Sequence, residues 1–203
     1  MTVLRSRSVP WAILATVAMC TLAALTGRQA IEIDLSARFP PTKLVLVELC
    51  VIVTATLLSI LTRPRFWEWD RIARGHRPHA VAGTVAAATI ALSALCVPAV
   101  VPWLPTNASW TWVLANALVL SATAHLTSAL LNPLLAGALT LVFWFGSAVV
   151  ANLAPHVWLP LANYREPNGH WTAAALLVTA AVTLHARTCG ATTWSHRQFN
   201  KER

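Results

Sequence analysis

The sequence predicts an all-α fold: a polytopic integral membrane helical bundle of about six transmembrane helices, with both termini cytoplasmic. Composition is the first reason. Of 203 residues, 57% are hydrophobic and 11% are charged, against about 45–50% apolar and about 25% charged in soluble domains. The second is recurrence: apolar runs fall at about 9–26, 44–62, 80–104, 110–131, 134–153 and 171–187, each near the roughly 20 residues that cross a hydrocarbon core. The third is charge asymmetry. With six spans, eleven of the fifteen Lys and Arg lie on the side of the termini, and Arg28, Arg38, Lys43 and Arg165 lie on the other. The positive-inside rule then makes both termini cytoplasmic.

The first run follows Arg5 and Arg7 and looks like a signal peptide. No small-x-small cleavage site follows it, so it is expected to stay as the first span. The second run is preceded by loop 27–43, where Ile31, Ile33 and Leu35 alternate with polar residues. That pattern suits a short extended segment or an extramembrane turn. The fourth and fifth runs are separated only by Leu131-Asn132-Pro133. Together they exceed one bilayer thickness, and proline ends or starts a helix, so a tight helical hairpin is expected there. The chain reads as a single transmembrane domain over 1–203, with no room for a soluble domain. It has no GxxxxGK[ST] sequence, so any ATP and its magnesium belong to a partner chain.

The net charge of +8 sits beside apolar spans, which points to membrane topology and away from nucleic acid. Cys20, Cys50, Cys96 and Cys189 form no CxxC pair. Three lie in apolar runs, where a thiol behaves as a small hydrophobe, so neither a disulfide framework nor a metal site is expected.

The segment after the second run, Arg63 to Gly75, opens on Pro64 and closes on glycine, as a short helix does. Over 64–75, Phe66, Trp69 and Ile72 recur at helical spacing, while Glu68 with Arg71 and Asp70 with Arg74 offer charge pairs. It reads as an amphipathic helix on the cytoplasmic membrane surface. Its aromatics suit headgroup depth, which alone makes it an anchor. Phe66, Trp67, Trp69 and Arg71 also make it a candidate docking helix for a cytoplasmic protein, since Trp and Arg are favoured interface anchors.

Glu48 is the one acid near the body of a span. Pairing with Lys43 at the outer interface explains it without function; a pathway or subunit contact is the alternative. Asn116 and His125 share the fourth run but, nine residues apart, not one face. Ser121, Thr123, Thr127 and Ser128 surround His125, a pattern that serves helix contacts or a polar pathway. The outer loop 154–170 is apolar enough over Pro155 to Leu161 to dip back into the interface. Trp158, Tyr164 and His170 form either an aromatic belt or a re-entrant outer gate.

This layout resembles the membrane-spanning (permease) subunit of type-2 ABC exporters. The matching parts are the helix at 64–75, the tight inner turn from Leu131 to Leu135, and the outer element at 154–170. The resemblance covers nearly the whole chain as architecture and rests on no specific motif. The chain is shorter than most such permeases, and no long amphipathic helix precedes its first span. The resemblance implies paired membrane subunits, homo- or heterodimeric, in the cell inner membrane, each served by a cytoplasmic ATP-binding subunit. Phe66, Trp67, Trp69 and Arg71 would then be coupling-helix residues. The competing expectations are a non-transporting scaffold of a larger membrane complex and a substrate-capture subunit of a vitamin importer, with Trp158, Tyr164 and His170 lining its pocket. An intramembrane enzyme is disfavoured: there is no HExxH, no His-box and no paired acidic motif in the spans, so no residue is assigned as catalytic.

Overall fold

Six helices of 16 to 21 residues take up the six apolar runs, in a computed structural model that describes residues 8–26, 29–35, 41–63, 76–103, 110–162, 169–192 and 194. They are α1 (Val9–Thr26), α2 (Leu46–Leu61), α3 (Arg77–Ala94), α5 (Trp110–Leu130), α6 (Pro133–Leu153) and α7 (Trp171–Thr188). A short α4 (Cys96–Val100) continues α3 after Leu95. Pro98 explains that break, since it has no N–H to give the carbonyl of Ala94 one turn back. Four of these stretches are long and apolar enough to cross a membrane: Val9–Thr26, Arg77–Val100, Trp110–Leu130 and Pro133–Leu153. α2 is apolar but only 16 residues long, and α7 carries His185 and Arg187 in its last turn.

The start of the second apolar run is not helical. Thr42–Val45 forms β2, which pairs antiparallel with β1 (Ala30–Ile33), setting Glu32 opposite Lys43. Ile33, Leu44 and Val45 are buried, so the hairpin closes one end of the bundle. The side chain of Asn152, near the end of α6, accepts from Leu35 N at 3.2 Å and donates to Ile33 O at 3.3 Å. The hairpin is thereby tied to α6.

α5 is the central helix: it packs on α2, α3, α6 and α7, and 13 of its 21 residues are buried. Its abundance of Ala and Ser lets neighbouring backbones come close. α1 is the opposite case. Only Ala12, Thr16 and Ala23 of its 18 residues are buried, against α2 and α4. The turn between α5 and α6 is as tight as the sequence predicts: Asn132 caps α6, its side chain accepting from Leu134 N at 3.1 Å, and Pro133 opens the helix. α7 stops where Cys189 (φ 52°) and Gly190 (φ 95°) turn left-handed, and Gly190 N donates to His185 O at 2.9 Å. Glycine is suited to the second of these positions because it has no Cβ to clash there.

Candidate functional site

Two buried polar centres lie at opposite ends of the bundle. The first is built on Glu48, the third residue of α2 and 3% exposed. Its place in the first turn sets its carboxylate at the positive end of the helix dipole. Oε1 accepts from Asn116 Nδ2 of α5 at 2.7 Å, and Oε2 accepts from Trp144 Nε1 of α6 at 2.6 Å. Asn116 faces two ways. It also donates to Ala162 O at 2.9 Å, and its Oδ1 accepts from Ala162 N at 2.8 Å. Both N–H hydrogens of that amide are in use, and its oxygen accepts one bond. The segment 154–162, which leaves α6, thus turns back and is held on the bundle by both backbone polar atoms of one residue, Ala162. Beside Glu48 lies a cavity of about 20 Å³ bordered by Thr42, Lys43, Trp112, Asn116, Trp144 and Ser147, enough for one water-sized guest.

The expected pairing of Glu48 with Lys43 gives way to another arrangement. Lys43 Nζ lies 2.8 Å from Glu32 Oε1, its cross-strand partner in the hairpin. Both N–H donors to the Glu48 carboxylate are neutral.

The second centre surrounds His125. Its Nδ1 lies 2.9 Å from Ser121 O, four residues back, and so carries the hydrogen. Its Nε2 is buried and has no hydrogen-bond partner among the described residues. His185 Nε2 of α7 donates to His125 O at 2.9 Å, with the two rings 6.1 Å apart between centroids. A second cavity of about 20 Å³ is lined by Ser59, Thr62, Arg63, Thr89, Ser128, His125 and His185. The hydroxyls of Ser59, Thr62 and Ser128 donate to backbone carbonyls three or four residues back. Arg63 follows α2, and burial holds its guanidinium down at about 10, still charged at neutral pH. Asn116 and His125 serve different centres, in keeping with their expected separation on α5.

Among the expected outer-gate residues, Trp158 and His170 come together, with ring centroids 5.6 Å apart in an edge-on contact. Trp158 is 67% exposed while Leu161 and Ala162 are buried, so the segment dips inward only at its end. Gly169 continues this close approach. A Cβ there would sit 2.5 Å from Ala115 Cβ and 3.1 Å from Trp112 Cα of α5. Replacing Gly169 by alanine is expected to cost about 1–3 kcal/mol by overpacking, read as a lowered melting temperature. Tyr164, and Phe66, Trp67, Trp69 and Arg71, lie outside the described residues.

Sequence reasoning missed Trp144, Asn152 and His185 as site residues. Asn152 and His185 carried the same signal as Asn116, a polar side chain within or at the end of an apolar run. No protein-family model, curated protein or solved structure matches the chain, and the two polar centres carry the functional reading.

Proposed function

We propose that this chain is the membrane subunit of an ABC-type transporter, spanning the cell inner membrane six times with both termini cytoplasmic. In this reading a second membrane subunit completes the translocation path, and a cytoplasmic ATP-binding subunit supplies the work. The observation that carries it is the 154–162 segment, folded back onto Asn116 at the end of the bundle away from Arg63. The hairpin end is then outside, and Arg63 and the 64–75 segment are inside.

α2 links the two. One end bears Glu48, joined through Asn116 to the folded-back segment, and the other leads into Arg63. At 16 residues it is about 24 Å long. A displacement imposed at 64–75 by nucleotide-driven closure of the partner would pass along this rod to the clamp on Ala162. Both cavities are small, so opening requires helices to move apart, and packed helices switch between discrete arrangements.

The test is purification of the tagged chain from its native host in mild detergent, with mass spectrometry of what accompanies it. A stoichiometric ATP-binding subunit supports the reading. A membrane assembly without an ATPase overturns it in favour of a scaffold. In the same preparation, Trp67→Ala and Trp69→Ala are expected to weaken retention of the ATP-binding subunit, by about 2 kcal/mol each for hot-spot anchors, while membrane insertion survives. Lost insertion with retention intact in the remaining protein would make the tryptophans anchors only.

A further inference from the structure

We propose that the cavity beside Glu48 binds a small monovalent metal cation of the sodium class, with the Glu48 carboxylate as its anionic ligand. The carboxylate is 3% exposed and makes no ion pair among the described residues. Its two contacts, at 2.6 and 2.7 Å, both come from N–H donors, the partners a carboxylate takes. Neutral N–H donors stabilise that charge without cancelling it, and each oxygen keeps lone-pair capacity beyond the bond it accepts.

The adjoining space offers what such a charge lacks. Thr42 and Ser147 add hydroxyl oxygens to the lining, and carboxylate and hydroxyl oxygens are the donors hard cations take. About 20 Å³ admits one ion stripped of most of its water. A single carboxylate in the lining balances one positive charge, which favours a monovalent over a divalent ion. Among the described lining residues the one cationic side chain, Lys43, pairs with Glu32 on the neighbouring strand. A proton on Glu48 would use the same spare lone-pair capacity, so the pH arm of the test separates the two occupants.

The site goes beyond the transport reading and does not depend on it, because the assay uses the full chain without a partner. Melting temperature is measured at constant ionic strength and pH as sodium chloride replaces choline chloride. It is expected to rise with sodium along a binding curve, since a ligand that binds only the folded state stabilises it by mass action. Glu48→Gln is expected to abolish the rise. Ser147→Ala is expected to move its midpoint to about tenfold higher sodium. Equal melting in sodium and choline salts overturns the site, as does a sodium response that Glu48→Gln retains. A dependence on pH alone also overturns it, because the carboxyl would then be holding a proton. If Glu48→Gln does not fold, the Ser147→Ala series decides, and an unchanged midpoint overturns the proposal.

Discussion

Replacing Asn116 by alanine is expected to free the 154–162 segment and to destabilise the chain by about 4 kcal/mol. The figure follows from what the side chain touches. Its loss strands the N–H and the C=O of Ala162, both at a buried residue, at about 1–3 kcal/mol each. It also removes one of two donors to a buried carboxylate, and hydrogen bonds to charged groups contribute about 1.5–3 kcal/mol. Partial rehydration of the freed backbone groups keeps the sum near the lower end of the combined range. Hydrogen exchange gives a local readout. The amide of Ala162 should lose protection first, while amides in the middle of α5 stay slow. A melting temperature within a degree of the parent, with segment exchange unchanged, would show that Asn116 does not hold it.

The second large effect is expected at Gly137, where α6 crosses α2. A Cβ at that position would lie 2.5 Å from Thr56 Oγ1, 2.8 Å from Thr56 Cγ2 and 3.2 Å from Thr56 Cβ. Thr56 is poorly placed to give way, because it is β-branched and its hydroxyl donates to Ile52 O at 2.8 Å. The helices themselves must separate. Gly137→Val is expected to cost about 3 kcal/mol, at the upper end of overpacking effects. Gly146 on the same helix is the control, since a Cβ there meets nothing within 4 Å. Gly146→Ala should be neutral or gain up to about 1 kcal/mol of helix propensity. Thermal melts of the two variants in one detergent separate crowding at the crossing from any general sensitivity of α6.

Helix positions were legible because span length and apolar composition are local properties. Val9–Thr26 and Trp110–Leu130 fall within a residue of their apolar runs. The hairpin was half legible. Alternation at Ile31, Ile33 and Leu35 marked an extended segment, but Leu44 and Val45 of the second strand are apolar and merged with the run that follows. The break at Leu95 was hidden in the same way, inside a run whose hydropathy does not change there. Glu48 stood out as a lone acid, yet its partners did not. Lys43 is near in sequence, whereas Asn116 and Trp144 are 68 and 96 residues away. Ala162 carried no signal at all, because it takes part through its backbone N–H and C=O and its methyl side chain reads as ordinary apolar filler.

The sparse burial of α1 bears on how the protein is made. Its hydroxyls, on Thr16, Thr21 and Thr26, each donate to the carbonyl three or four residues back on the same helix, and its remaining side chains are apolar but for the Trp11 indole N–H and the Cys20 thiol. Apart from the Trp11 indole N–H and the weakly bonding Cys20 thiol, no side chain on it needs a neighbour for its hydrogen bonds, which suits resting alone in hydrocarbon. Its neighbours α2 and α4 emerge from the ribosome later, α4 only at Val100. α1 is therefore expected to enter the bilayer as an autonomous segment and to wait there unaccompanied. Docking of its Ala12, Thr16 and Ala23 face then becomes a late assembly event, separate from insertion.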